Sequence, residues 1–170
     1  MTNSPTPLSA NFPKSLPLVL ALDNVRSLHN VGAILRTAEA AGVEEVLLGG
    51  LTPAPPRTEI DKTALGALKT LKCRYVRDLG AELVLYAGKG YSLAALEQTK
   101  SSTPIFETPI SFPLVLVVGH EREGVQPEIL SLCSLHLELP MQGTSIHSLN
   151  VSTATGIALY ECLRRFCYHK

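Results

Sequence analysis

The sequence predicts an α/β fold with a mainly parallel sheet and helices on both of its faces. Short, continuously apolar runs such as Leu16–Leu22 and Leu114–Val118 are typical of strands that are buried on both sides, as in parallel sheets. These runs alternate with segments whose apolar residues recur at helical spacing. A chain of 170 residues is long enough for one such domain with its own hydrophobic core.

The first half of the chain begins with a strand, a helix and a second strand. The strand Leu16–Leu22 is followed by a helix with Asn30 as its expected N-cap and Gly42 after its end. Glu45–Gly49 is the next buried strand, and this order predicts a right-handed crossover. The three prolines of Leu51–Arg57 predict a loop at the carboxyl end of that strand, where ligands bind in open parallel sheets.

The alternation of helices and strands continues to the C-terminus. The further predicted helices are Thr58–Thr70, Leu79–Ala87, a short helix opened by Pro127, and Ser148–Phe166. The further predicted strands are Cys73–Val76, Ser92–Glu97, Leu114–Val118 and Leu135–Leu139. Residues 1–15 hold three prolines and no apolar signal-peptide core, so we expect a flexible arm there and a single domain over residues 16–170.

The composition argues against several classes of protein. No apolar run approaches the roughly 20 residues that a membrane-spanning helix needs. Because the four cysteines show no C-x-x-C spacing, no metal site is expected, and we expect reduced thiols and a cytoplasmic protein. The net charge is zero, but residues 57–77 hold six basic side chains against two acidic ones. This stretch allows a one-sided surface for an anionic partner, although a solvated charged face explains the same pattern.

The segment from Leu139 to Ser152 joins the last predicted strand to the last predicted helix. It contains Gly143, the amide side chain of Asn150 and a row of hydroxyl side chains. So many hydrogen-bonding groups beside a helix N-terminus suit a bound polar ligand. A helix cap formed by Ser148 or Asn150 explains the same residues, so this loop alone leaves both interpretations open.

A second candidate loop, Gly119–Gly124, follows the most apolar of the predicted strands. A dinucleotide-binding loop would need a further glycine where the chain has Glu121, and a carboxylate at that position repels a pyrophosphate. A nicotinamide-dependent oxidoreductase is therefore a poor interpretation of this loop. The pattern instead indicates a tight turn that directs one carboxylate into a cleft.

Three stretches carry a resemblance to a known family. Asn30–Arg36 fits the pattern N-x-G-x-x-x-R, and Val117–Val125 surrounds the second loop. The third stretch joins Leu139–Gly143 to Ser148–Ala154. In order, spacing and placement at strand ends, they resemble the three motifs of the SpoU (TrmH-type) RNA ribose 2′-O-methyltransferases of the SPOUT superfamily. The resemblance covers about residues 16–161, which is nearly the whole chain.

The resemblance implies a C-terminal trefoil knot whose loops bind S-adenosyl-L-methionine. A side chain at Gly119 is then expected to obstruct the adenosine of this cofactor. It also implies a homodimer in which the first and last helices form the interface and each site is completed by both subunits. Carried over by position, the expected cofactor-binding residues are Leu96, Glu97, Gly119, Leu139, Met141, Ser148 and Leu149.

The resemblance also implies four catalytic residues, whose roles follow from their chemistry. A guanidinium is effectively always charged, so we expect Arg36 to hold a phosphate and stabilise the developing alkoxide rather than to act as a base. Asn30 is expected to meet the substrate or to hold Arg36. We expect Glu121 to orient Arg36 or Asn150 by a charge-assisted hydrogen bond. Asn150 would position the ribose or the methionine part of the cofactor.

These residues also have ordinary structural explanations. Arg36 would pair with Glu39 or Glu44 on the protein surface, Glu121 would be a turn residue facing water, and Asn150 would be a simple N-cap. The histidines beside the motifs are expected to be solvent-facing loop residues: His29, His120 and His147.

The leading functional hypothesis is an S-adenosylmethionine-dependent methyltransferase that acts on a ribose 2′-hydroxyl of tRNA, with rRNA as the other candidate substrate. The alternative from another class is a catalytically silent knot-fold module that only binds RNA. Because the segment before Leu16 holds a single lysine, RNA recognition is expected from the catalytic domain itself, from the composite surface of the dimer, or from a partner protein. The candidate stretches are residues 57–77 and the loop of residues 23–29.

Overall fold

The structure is a computed structural model that describes residues 15–145 and 147–168. The predicted flexible arm, residues 1–15, lies outside the described residues except for Ser15. Within the described residues seven strands form one sheet in the order β3-β2-β1-β6-β4-β7-β5, and every neighbouring pair is parallel. The strands are β1 (Leu16–Asp23), β2 (Val43–Gly49), β3 (Cys73–Val76), β4 (Ser92–Leu96), β5 (Thr103–Pro104), β6 (Leu114–Val118) and β7 (Leu135–Glu138).

Helices cover both faces of this sheet. In the part of the chain that the structure describes, they are a short 3-10 helix (Ala67–Lys69) and five α-helices: α1 (Leu28–Ala40), α2 (Thr58–Ala64), α3 (Leu79–Gly88), α4 (Pro127–Leu132) and α5 (Val151–Tyr168). Buried side chains of α1, α2 and α5 pack in one core on one face, and those of α3 and α4 pack in a second core on the other face. The predicted α/β class with a parallel sheet is therefore confirmed.

The central strand β1 shows why its apolar run is continuous. Leu18, Leu20 and Leu22 belong to the core beneath α1 and α5, whereas Val19 and Ala21 belong to the core beneath α3, and none of the five is exposed. Successive side chains of a strand point to opposite faces, so a strand covered on both faces must be apolar throughout. Each fully buried leucine contributes about 2 kcal/mol through the apolar area that it removes from water.

Three predicted helix boundaries are wrong. Asn30 is not the N-cap of α1, because the helix begins two residues earlier and the hydroxyl of Ser27 accepts from the Asn30 N–H at 3.2 Å. α2 ends before Leu65, whose left-handed conformation (φ 49°) stops the helix that was expected to continue. α5 begins at Val151, three residues after the predicted start at Ser148. In each case a neighbouring side chain or backbone angle decides the boundary rather than the apolar spacing.

The parallel arrangement brings the carboxyl ends of all strands to one edge of the sheet. There the ends of β4, β6 and β7 lie close together, since β4 pairs with both other strands. The short strand β5 extends the sheet beyond β7, although two residues are too few for the periodic pattern that predicts a strand.

The trefoil knot stays a prediction. Among the residues that the structure describes, no helix has the length and apolar character needed to span a bilayer.

A buried carboxylate fixes α5 to the segment around β5. The side chain of Glu161 is 7% exposed and accepts from Arg164 at 2.8 Å and from Arg165 at 2.6 Å. Arg165 also donates to the backbone carbonyls of Ile105 and Thr108. The hydrogen bond from Arg164, followed by that from Arg165, outweighs the effect of burial and lowers the pKa of Glu161 to about 2.

We expect Glu161→Gln to lower the free energy of unfolding at pH 7 by about 3 kcal/mol, because it leaves two arginines without their shared counter-charge. The folded state lowers the pKa of this carboxyl, so its contribution to stability is complete above about pH 4.5 and is lost as the pH falls towards 2. Urea unfolding should therefore give a smaller difference between wild type and variant at pH 3 than at pH 7.

Glu107→Gln is the matched control, since Glu107 is exposed and forms no ion pair within the described residues. It should change stability by less than about 0.5 kcal/mol at both pH values. Equal losses for Glu161→Gln at pH 3 and pH 7 would show that the charge of Glu161 does not contribute.

Candidate active site

A cleft of about 320 Å³ opens at the carboxyl ends of β4, β6 and β7. Its walls come from these strand ends, from the Gly119–Gly124 loop and from the segment that leads into α5. This volume lies in the range of pockets that hold small organic ligands. The lining includes all the residues predicted to bind the cofactor: Leu96, Glu97, Gly119, Leu139, Met141, Ser148 and Leu149. Their role in binding stays a prediction.

The Gly119–Gly124 loop is closed by two backbone hydrogen bonds between His120 and Gly124, both 3.0 Å long. Gly124 has a positive φ of 73°, which favours glycine. A Cβ on Gly119 would lie only 2.2 Å from the carbonyl carbon of Gly124 and from the nitrogen of Val125. Both glycines are therefore needed for the loop to fold back on itself.

Glu97 holds this loop against the end of β4. Its Oε2 accepts from the backbone N–H of Val125 at 2.9 Å, and a Cβ on Gly124 would lie 2.4 Å from the same oxygen. The carboxylate thus fills the space that the missing side chain of Gly124 leaves. Glu97 was predicted only as a wall of the cofactor pocket, and the structure adds this structural contact.

His120 is built into the loop rather than facing solvent, so the expectation for this residue is wrong. Its side chain is 14% exposed, and Nδ1 accepts from the backbone N–H groups of Arg122 and Glu123 at 3.2 and 3.1 Å. Because Nδ1 is an acceptor, the ring proton of the neutral histidine lies on Nε2. The distance from Nε2 to Oε2 of Glu121 is 3.8 Å. His147 is exposed outside regular structure, as expected, whereas His29 is exposed but lies in the first turn of α1 rather than in a loop.

A chain of hydrogen bonds connects the three motifs. The side-chain amide of Asn150 donates to Oδ1 of Asn30 at 3.1 Å, and the amide of Asn30 donates to Oε1 of Glu121 at 3.0 Å. Oδ1 of Asn150 in turn accepts from the backbone N–H of Ser152 at 2.9 Å, which makes Asn150 the N-cap of α5. This capping bond sets the orientation of the Asn150 amide and directs its NH₂ group to Asn30.

Glu121 is kept ionised at the end of this chain. Burial acts to raise its pKa, but hydrogen bonds from the Asn30 amide and from backbone N–H groups, including those of Ser27 and Arg26, outweigh burial and hold the pKa below its usual value. The bond from the Ser27 N–H measures 3.2 Å. Glu121 therefore reaches Asn150 through Asn30, and it does not contact Asn150 directly as one of the predicted arrangements required.

Arg36 lies away from the cleft of its own chain. It comes six positions after Asn30, which at 3.6 residues per turn places the two about 120° apart around α1. Asn30 is buried, whereas Arg36 is exposed in a shallow depression beside Thr63 of α2 and Tyr160 of α5. Within the described residues Arg36 forms no ion pair, so neither the predicted contact with Glu121 nor the alternative pairing with a surface glutamate is present.

The cleft combines apolar strand ends with several carboxylates. Glu97, Glu121 and Glu138 all contribute to its lining, together with apolar residues such as Leu137 and Ala154. Such a cleft suits a ligand that carries both an apolar ring and a positively charged group. Sequence reasoning missed Glu138 and also Ser27, although a serine three residues before Asn30 is an ordinary N-cap signal.

Comparison with known proteins gives one consistent result. Residues 17–160 match the SpoU rRNA Methylase family. The chain is 36% identical over 152 residues to the 23S rRNA (guanosine-2′-O-)-methyltransferase RlmB of Pseudomonas aeruginosa, a match that covers 89% of this chain and 60% of that protein. The chain thus spans about 60% of the length of the curated relatives that it matches first.

Solved structures that are similar to this one include a tRNA modifying enzyme and an rRNA methyltransferase. A TrmH/SpoU tRNA modifying enzyme from A. aeolicus superposes with a TM-score of 0.80 at 33% identity, over 91% of this chain and 77% of that one. An AdoMet-bound rRNA methyltransferase from Sinorhizobium meliloti superposes with a TM-score of 0.79 at 28% identity, over 91% of this chain and 58% of that one. The family match spans more than half of the chain, and the chain therefore belongs to the SpoU rRNA Methylase family.

Proposed function

We propose that this chain is an RNA methyltransferase that transfers a methyl group from S-adenosyl-L-methionine to a ribose 2′-hydroxyl. The observation that carries the proposal is the hydrogen-bonded chain from Asn150 through Asn30 to Glu121. It joins one polar residue from each of three motifs at the edge of the cleft. The names of the relatives support the same reaction, because the P. aeruginosa protein is named for guanosine 2′-O-methylation.

The volume of the cleft and the carboxylates of its lining suit S-adenosylmethionine. Leu96, Leu139 and Met141 offer apolar contacts for an adenosine, and the carboxylates of the lining favour the positive charges of the sulfonium and ammonium groups. The cofactor supplies an activated methyl group. Backbone groups around Gly119 and Leu149 would bind its polar edges, because the glycine allows close approach of the main chain. The S. meliloti structure, which holds AdoMet, supports this assignment.

The residues of the chain would align the ribose and stabilise charge. Asn30 and Asn150 hold each other in fixed orientations, and the ionised Glu121 keeps the Asn30 amide in place. A ribose hydroxyl gains negative charge as it loses its proton, and a positively charged guanidinium stabilises that charge. Arg36 is the residue that we propose for this role.

We further propose that Arg36 acts in the cleft of a second copy of the chain. Arg36 and Tyr160 lie together where α1 and α5 meet, and this region also exposes Ile157. A homodimer that buries this face would bring Arg36 of each subunit towards the cleft of the other. The arrangement explains why a residue of the first motif is exposed and unpaired within the described part of one chain. Residues 16–170 would act as one catalytic domain.

The substrate that we propose first is tRNA, in the cytoplasm, with rRNA as the second candidate. The relative from A. aeolicus is named as a tRNA modifying enzyme and supports the first, whereas the P. aeruginosa relative is named for 23S rRNA and supports the second. The presence of Asn30, Arg36, Glu121 and Asn150 argues against a catalytically silent RNA-binding module.

The test is methyl transfer from radiolabelled S-adenosylmethionine to separated tRNA and rRNA pools that lack native modification. Digestion to nucleosides then identifies the labelled position. Label on a ribose 2′-oxygen of one pool would support the reaction and name the substrate class. Label on a base would contradict ribose methylation, and the absence of both label and cofactor binding would favour the silent module.

A further inference from the structure

A second concave surface lies at the carboxyl ends of β1, β2 and β3, on the side of the sheet that α1 covers. We call it the Tyr75 surface, and its four exposed members are Arg26, Leu51, Arg57 and Tyr75. It forms a depression of about 440 Å³. Tyr75 is 53% exposed and Leu51 is 66% exposed, so two large apolar groups face solvent beside two guanidinium groups.

The charge of this surface is unbalanced. Within the described residues Arg26 and Arg57 form no ion pair, and the lining of the depression contains no acidic side chain. Arg74, which precedes Tyr75 in β3, is different because it pairs with Glu45 at 2.9 Å and with Glu82 at 2.7 Å. The positive charge at this edge is therefore available to an anionic partner.

The loops that carry these residues are fixed to one another. Oδ1 of Asn24 accepts from the backbone N–H of Leu51 at 2.8 Å. The hydroxyl of Thr52 donates to the carbonyl of Leu22 and accepts from the N–H of Val25 at 3.1 Å. These bonds join the loop after β2 to the loop after β1, so the surface exists before any partner arrives and little ordering is needed on binding.

The Tyr75 surface is continuous with the candidate active site. Arg26 directly precedes Ser27, whose backbone N–H donates to Glu121, and Glu121 lines the cleft. A strand of RNA that enters the cleft would therefore pass over Arg26 and reach Arg57 and Tyr75.

Resting on the proposed function, we propose that the Tyr75 surface binds an unpaired nucleotide that neighbours the methylated one. Its base stacks on the ring of Tyr75 beside Leu51, and the flanking phosphates lie against Arg26 and Arg57. Exposed aromatic rings flanked by arginines are the usual means of binding single-stranded nucleic acid, because every base has a face that can stack. Binding of an acidic peptide would explain the two arginines but not the exposed ring of Tyr75.

The experiment measures binding of a fluorescein-labelled single-stranded RNA 15-mer of mixed sequence by fluorescence anisotropy over a range of salt concentrations. We expect Tyr75→Ala to weaken binding about tenfold, and Tyr75→Phe to stay within about twofold of wild type, because stacking needs the ring and not the hydroxyl. Arg57→Ala should weaken binding and lower the slope of log K against log salt by about 0.7. Lys89→Ala is the control, since it removes an exposed positive charge just before β4, at the amino ends of the strands rather than at their carboxyl ends.

The dissociation constant of S-adenosylmethionine, measured on each variant, shows whether the fold and the cleft are intact. Wild-type RNA affinity in Tyr75→Ala would overturn the Tyr75 surface while leaving the proposed function standing. Equal losses in Tyr75→Phe and Tyr75→Ala would overturn the stacking role. A wild-type chain that binds the cofactor but no RNA would overturn both the surface and the proposed function.

Discussion

Replacing Arg36 by alanine should lower the rate of methyl transfer by a factor of about 10²–10³ while S-adenosylmethionine binding stays unchanged. The physical reason is that Arg36 lies apart from the cofactor cleft of its own chain. Arg36 does not line the cleft of its own chain, so its loss leaves the cofactor-binding walls intact. What is lost is a positive charge that we propose acts only when the hydroxyl is ionising.

Single-turnover rates and calorimetric cofactor binding measure the two quantities separately. Arg36→Lys keeps the charge but not the planar pair of donors, and it should recover only part of the activity. Lys89→Ala serves as the charge-matched control and should keep full activity. A normal rate in Arg36→Ala would remove this residue from the mechanism. A loss of cofactor binding would show that Arg36 contributes to the cofactor site instead of acting on the ribose.

Replacing Gly119 by alanine should weaken S-adenosylmethionine binding about 100-fold. The reason is that rearranging the Gly119–Gly124 loop to accommodate the new Cβ costs about 3 kcal/mol. The family resemblance implies that a side chain here obstructs the adenosine. The structure gives a different reason, since the new Cβ would lie 2.2 Å from the backbone of Gly124 and Val125. The loop must open, and it would release the contact of Glu97 with the Val125 N–H.

Gly88→Ala is the matched control for this substitution. A Cβ on Gly88, at the end of α3, meets nothing within 4 Å, and its φ is not in the left-handed range. It should keep the cofactor affinity of wild type and its thermal stability. If Gly119→Ala binds the cofactor normally, the loop does not form a wall of the binding site.

The two variants together test the proposed exchange of Arg36 between subunits. In a mixed dimer one subunit carries Arg36→Ala and the other Gly119→Ala, so one cleft is intact and faces an intact Arg36 from the partner subunit. Random assortment makes about half of the dimers mixed, each with one complete site, and about a quarter of the wild-type activity should return. If Arg36 serves the cleft of its own chain, the co-expressed mixture stays inactive.

Much of the fold is readable from local pattern. The continuous apolar runs of β1 and β6 predict buried parallel strands because a strand covered on both faces has no polar side to show. Cys73–Val76 and Leu114–Val118 have the predicted bounds. β5 escapes prediction because it is a two-residue strand whose pairing depends on β7, more than 30 residues away along the chain.

In the candidate site, too, local pattern predicts one part and long-range contacts decide the rest. Motif spacing identifies Asn30, Arg36, Glu121 and Asn150, but no local pattern states which of them touch. The bond between Asn30 and Asn150 spans 120 residues of sequence and that between Asn30 and Glu121 spans 91. Only the folded chain shows that Asn30 stands between the other two and that Arg36 turns away from all of them.

The basic stretch of residues 57–77 shows most directly why the sequence alone does not reveal which side chains are available for function. Sequence alone counts Arg57 and Arg74 as equivalent charges, since a charge has no partner until the chain folds. The tertiary structure brings Glu45 and Glu82 to Arg74 and leaves Arg57 beside Tyr75 without an acidic neighbour in the depression that they share. Residue type and local periodicity decide what a segment becomes, whereas long-range contacts decide which of its side chains remain available for function.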